Sequence, residues 1–185
     1  IAPENERYAA LLEQAARAER YGVEASRAYE QGLEQYEAGA REEAFLSFRR
    51  AAETSPEFRD AFVWAGRTSL ELRDPQSAVP YWQRAVDLDP SDRAAQQSLT
   101  LARNQSAFGI EAFEAYQRGV AQYTAGEVAA ARSAFGAATR SNPRYADAWG
   151  WLGRIALEAG EFAAAASAYD CPSCRRTSRS RTSRC

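Results

Sequence analysis

The sequence predicts an all-α protein, a stack of antiparallel helix pairs. Three observations carry that expectation. A set of spaced residue types recurs along the 185-residue chain, the recurrence continues at a 34-residue step, and an 87-residue period relates one half of the chain to the other. From Gly32 the chain runs Gly39, Ala44, Phe48, Ala51 and Pro56, at steps of 7, 5, 4, 3 and 5. The same steps lead from Gly119 through Gly126, Ala131, Phe135 and Ala138 to Pro143. From Gly66 the pattern gives Ala78, Trp82, Ala85 and Pro90, with Arg73 at the middle glycine position. From Gly153 it gives Gly160, Ala165 and Tyr169 and then stops.

Each residue type has a physical task. Small Gly32 and Ala44 allow two helices, A and B, to approach closely, and aromatic Phe48 fills the space left between them. Gly39 supplies the left-handed residue that ends helix A, and Pro56 stops helix B. In the second copy Asp74 and Pro75 read as N-cap and first helical residue, and Pro80 should bend the helix that follows.

These residues resemble the tetratricopeptide repeat, a 34-residue helix–turn–helix, over 25–58, 59–92, 112–145 and the incomplete 146–170. The resemblance implies a right-handed superhelical solenoid of antiparallel helix pairs, with partners held in a concave groove lined by the A helices.

The longer period defines modules. Residues 25–82 match 112–169 with 20 identities in 58 positions, including Tyr29/Tyr116, Tyr36/Tyr123, Trp64/Trp151, Arg67/Arg154 and Glu71/Glu158. The offset extends upstream, where 21–25 (YGVEA) matches 108–112 (FGIEA). Each module is therefore an extra segment followed by two repeats. The extra segment 93–111 has an apolar face at Ala95, Leu99 and Ala102 and reads as a helix over 93–107 that caps or links, with a joint at 108–110. One long kinked helix through Gly109 is the competing reading. By the same logic residues 1–24 form an N-terminal helix, the cap or remnant of an upstream unit. The initial Ile1 suits a processed chain, an internal fragment or an expression product of a longer parent.

The pattern changes at residues 171–185. Pro172 falls inside the expected last helix, and all three Cys of the chain and five Arg crowd this segment. Cys171 and Cys174 form a CxxC pair, but three thiols and no His fall short of a structural zinc set, and the α/β context of a redox CxxC is missing. A disordered or non-native tail is expected, with a basic tail that binds nucleic acid as the alternative.

Composition removes most function classes. The chain has no His and no Lys, so all 23 basic residues are Arg. Imidazole metal sites, Ser–His and Cys–His nucleophilic pairs, lysine Schiff bases and P-loop lysines are excluded. No cofactor or metal is expected, and acidic residues such as Glu42, Glu43 and Glu53 fall on solvated helix faces rather than in a pocket that could separate acid from base. No enzymatic role is expected. Residues 1–170 carry 18 Arg against 25 acids, a net −7, which argues against a nucleic-acid surface. No apolar run approaches the roughly 20 residues of a membrane span. The all-Arg, Ala-rich usage suits GC-rich coding in a bacterium, and nothing in the chain distinguishes cytoplasm from periplasm or cell envelope.

The remaining surface is a groove. On the first A helix Tyr29, Leu33 and Tyr36 share a face, with Tyr116, Val120 and Tyr123 as counterparts. On the second, Val63, Arg67 and Leu70 match Gly150, Arg154 and Leu157. Tyr and Arg are enriched at binding hot spots, so Tyr29, Tyr36, Arg67, Tyr116, Tyr123 and Arg154 are the candidate partner-binding residues. The alternatives are that the tyrosines pack against neighbouring helices and that Arg67 and Arg154 pair with Glu71 and Glu158 at i+4. Trp64 and Trp151 read as packing residues. Relatives that clamp a peptide carboxylate use Lys and Asn on their A helices. This chain has no Lys, and its Asn5, Asn104 and Asn142 lie outside those helices. The expected function is a non-catalytic scaffold that binds a peptide or helix of another protein. The alternative is a structural subunit, in an envelope complex for instance, that self-associates through exposed array ends.

Overall fold

A computed structural model describes residues 3–170. The Arg/Ser/Cys segment 171–185, expected to be disordered or non-native, lies outside them. The described residues form ten α-helices and no strand: α1 (Pro3–Tyr21), α2 (Val23–Glu37), α3 (Arg41–Thr54), α4 (Arg59–Glu71), α5 (Pro75–Leu88), α6 (Arg93–Phe108), α7 (Ile110–Thr124), α8 (Val128–Ser141), α9 (Ala146–Glu158) and α10 (Phe162–Tyr169). They divide into two compact units between Ser106 and Ala107. Helices α2/α3 and α4/α5 are the A/B pairs of the first unit, and α7/α8 and α9/α10 those of the second.

The turn chemistry follows the sequence. Gly39, Gly126 and Gly160 have φ of +83°, +81° and +75°, and at the fourth turn Arg73 adopts the same left-handed region at +59°. At each turn the next amide reaches back five residues: Ala40 to the Gln35 carbonyl, Asp74 to Ser69, Glu127 to Gln122 and Glu161 to Ala156, at 2.8–2.9 Å. This is the Schellman closure that terminates a helix through a left-handed residue. Helix α5 starts as expected, with Asp74 Oδ1 accepting from the Ser77 amide at 3.1 Å and Pro75 at the first helical position. It then runs without interruption through Pro80 to Leu88.

Within each pair the small residues set the approach. A Cβ on Gly32 would stand 2.6 Å from the Phe48 ring, one on Gly119 2.7 Å from Phe135, one on Gly66 2.8 Å from Trp82 and one on Gly153 2.6 Å from Tyr169. Phe48 and Phe135 are completely buried, and Trp64 and Trp151 stack on them with centroids 5.4 Å apart in both units. The tryptophans are thus packing residues.

The extra segments behave alike. Helix α6 runs to Phe108 and stops at Gly109, whose φ of +85° interrupts the helical path. Gly22 does the same between α1 and α2 at +91°. The joint falls inside the expected 108–110. In the first unit Ala95, Leu99 and Ala102 of α6 close a core with Ala78, Trp82 and Ala85 of α5. The aromatic residue before each joint anchors to the helix pair beyond it: Tyr21 stacks on Phe58 at 4.2 Å, and Phe108 on Tyr145 at 4.0 Å. Among the described residues no helix is long and apolar enough to cross a membrane.

Candidate functional site

The six candidate residues separate into two groups. Tyr29 is only 6% exposed, with its ring against Phe48 and Phe58 at 5.7 and 4.8 Å, so it belongs to the core. Burial also raises its phenol pKa. Tyr116 is half-buried between Phe135 and Tyr145, and its hydroxyl accepts from Trp151 Nε1 at 3.3 Å. Both occupy the gap between an A helix and the pair behind it, which is the packing alternative for this stripe. Leu33, Val120, Val63 and Leu70 are likewise half-buried against the cores, whereas Leu157 is exposed.

Tyr36, Arg67, Tyr123 and Arg154 come together at the surface, one pair in each unit. In the first unit the Tyr36 hydroxyl donates to Glu71 Oε1 at 2.6 Å, and Arg67 Nε donates to the same oxygen at 3.1 Å. The Arg67 guanidinium lies 5.3 Å from the Tyr36 ring and 5.0 Å from that of Trp64. In the second unit the Tyr123 hydroxyl lies 2.8 Å from both oxygens of Glu158, and Arg154 Nε donates to Oε1 at 3.0 Å. Arg154 lies 5.4 Å from the Tyr123 ring and 5.3 Å from that of Trp151. The i+4 ion pair is therefore part of the arrangement. A carboxylate one turn beyond the arginine fixes the guanidinium over two aromatic faces.

The electrostatics follow from these bonds. Hydrogen bonding to the carboxylate raises the phenol pKa of Tyr36 and of Tyr123. Burial pushes the Glu71 carboxyl upward, but hydrogen bonds from Tyr36 and Arg67 and the charges of Arg67 and Arg41 outweigh it and hold the group below the usual carboxylate range. Glu158 is lowered by the hydrogen bond from Arg154 and then by that from Tyr123.

One participant was not among the sequence candidates. Arg41, the first residue of α3, places its guanidinium 3.7 Å from the Tyr36 ring centroid and its Nε 3.0 Å from Glu71 Oε2, and it donates from Nη1 to the Tyr36 carbonyl. Its counterpart at the 87-residue offset is Val128. The difference is readable in the aligned modules, but only the fold shows that this position faces the tyrosine and the carboxylate.

The model of the tetratricopeptide repeat family matches residues 29–93 and 116–170, well over half of the chain. The chain belongs to the tetratricopeptide repeat family. No curated protein matches the sequence. Among solved structures it is similar to MamA, at 18% identity over 80% of this chain and 89% of that one with a TM-score of 0.46. A MamA fragment from Desulfovibrio magneticus RS-1 shows 17% identity over 80% and 93% of the two chains, with a TM-score of 0.44. YrrB, described as a repeat protein of this family with an unusual peptide-binding site, shows 25% identity over 90% and 76%, with a TM-score of 0.39. The family assignment rests on the two matched regions, which coincide with the four helix pairs.

Proposed function

We propose that this repeat protein is a non-catalytic scaffold that binds a peptide or helix of another protein along its A-helix groove. The observation that supports this reading most is the Tyr–Glu–Arg arrangement built twice, with half-buried tyrosines and exposed arginines, on the A helices of both units. Arg67 and Arg154 keep 52% and 58% of their side-chain surface exposed while held over aromatic rings. A guanidinium pre-ordered in this way loses less conformational freedom when it engages a ligand. The groove residues are then Tyr36, Arg67, Tyr123 and Arg154, with Tyr29 and Tyr116 acting as packing beneath them.

The test is capture of partners from source lysate by the chain and by a Tyr36→Phe/Arg67→Ala/Tyr123→Phe/Arg154→Ala variant, with bound proteins identified by mass spectrometry. A protein held by the first and lost by the second, at unchanged circular dichroism, is the expected result. Equal capture by both overturns the groove reading.

A second reading, association through array ends, is supported by one observation. Phe162 and Tyr169 of α10 are 72% and 45% exposed, and Tyr8 and Leu12 of α1 are 66% and 71% exposed. By the 87-residue offset Tyr169, Tyr8 and Leu12 match Trp82, Ala95 and Leu99, which α5 and α6 bury together in the first unit. Sedimentation of the same chain separates the readings, since assembly through the ends would be indifferent to the four groove substitutions.

A further inference from the structure

The two units carry the same tyrosine–carboxylate cradle, but only the first fills it from its own chain. In that unit Arg41 supplies a guanidinium to three acceptors: the Tyr36 ring at 3.7 Å, Glu71 Oε2 at 3.0 Å and the Tyr36 carbonyl. In the second unit the ring is Tyr123, the carboxylate Glu158 and the carbonyl that of Tyr123, while Val128 stands in place of Arg41. A short aliphatic side chain cannot reach the carboxylate. A crevice of about 530 Å³ borders Glu158 here, lined by Val128, Ala129, Arg132, Ile155, Glu158 and Ala159, with Tyr123 outside the lining but hydrogen-bonded to Glu158.

The surroundings favour a cation. Glu158 Oε2 lies against the Tyr123 hydroxyl, whereas Glu71 Oε2 is paired with Arg41. The Glu158 side chain is 45% exposed against 33% for Glu71, so its carboxylate can be approached from solvent. Arg132, the cation lining the crevice, is held by Glu161 through two bonds of 2.8 and 2.6 Å. Arg154 engages Oε1. The apolar walls, Val128, Ala129 and Ile155, suit the methylene stem of a long basic side chain.

The geometry points to this crevice as the binding site for an arginine side chain of the partner peptide, its stem against Val128 and Ile155 and its guanidinium paired with Glu158 as that of Arg41 is paired with Glu71. Arginine is favoured over lysine because Arg41 shows what the matching seat of the first unit holds, one guanidinium that meets a ring face, a carboxylate and a carbonyl together. A planar guanidinium can meet all three at once, and an ammonium cannot. The inference names a side-chain chemistry for the groove proposed above and rests on that reading.

The experiment titrates N-acetyl-L-arginine N-methylamide into the isotopically labelled chain and follows it by nuclear magnetic resonance, with the lysine analogue as control. Saturable shifts centred on Tyr123, Val128 and Glu158 are expected at millimolar concentration, at least threefold weaker for lysine. Val128→Arg should fill the crevice from within and abolish them. Arg41→Val should open a second set of shifts at Tyr36 and Glu71. Glu158→Gln, which keeps the side-chain shape, should weaken arginine binding about tenfold and guards against a misfolded Val128→Arg. Absence of saturable shifts at Val128, an equal response to lysine, or shifts that survive Val128→Arg would each overturn the assignment. The probe needs no partner. Its failure alongside successful groove-dependent capture removes only the arginine site, whereas failed capture removes the groove reading itself.

Discussion

At the residue scale, close approach within a helix pair depends on missing side-chain atoms. Gly32 faces the completely buried Phe48 ring at a distance no Cβ can share. Gly150 sits in helix α9 with nothing within 4 Å of a would-be Cβ. The same substitution should therefore have opposite signs at the two positions. Gly32→Ala is expected to lose about 1–3 kcal/mol through overpacking, partly offset by better helix propensity. Gly150→Ala should gain up to about 1 kcal/mol from propensity alone. Urea denaturation of the two variants checks the contrast, and a stabilising Gly32→Ala would mean that the pair is not closely packed.

At the element scale, each A helix is terminated by a left-handed residue and a back-reaching amide. Three of the four turns use glycine. The fourth holds Arg73 at φ +59°, with its amide bonded to Leu70 at 3.0 Å and that of Asp74 to Ser69 at 2.9 Å. An L residue in this region costs about 1–2 kcal/mol, against about 0.5–1 kcal/mol for the extra freedom glycine loses on folding. Arg73→Gly is thus expected to raise stability by roughly 0.5–1 kcal/mol, read as a higher thermal midpoint. Loss of stability would show that the Arg73 side chain does more for this turn than its backbone costs. The side-chain cap of α5 by Asp74 lies next to this strained turn.

At the scale of the whole molecule, each unit has its own apolar clusters. Phe48 belongs to the core of α2–α4, and Phe135 to one built from α7–α9. Repeat proteins lose structure unit by unit when a single interface is weakened, because each repeat is stabilised mainly by its neighbours. Phe48→Ala is expected to cost about 3–5 kcal/mol, and hydrogen exchange should show protection lost across α2–α4 while α7–α9 keep theirs. Equal loss in both units would mean that they fold as one cooperative body.

The repeat architecture could be read from spacing because each repeat reuses a few steric constraints at fixed steps. Gly32 with Phe48, Gly39 at the turn and Pro56 after helix B are local rules, and a local rule leaves a mark at a constant distance along the chain. The site was legible only in part. Arg67 and Glu71 are four residues apart on one helix, so their pairing is written in the spacing. Tyr36 meets Glu71 across 35 residues, and Arg41 joins them from the start of a third helix. Tyr29 and Tyr36 lie on one stripe of α2, yet one is core and the other borders solvent, because Phe58 and α4 cover only part of that stripe. Periodicity places side chains around a single helix axis. Which of them meet solvent depends on how the helices pack against each other, and that packing turned matched positions 41 and 128 into a filled cradle in one unit and an open one in the other.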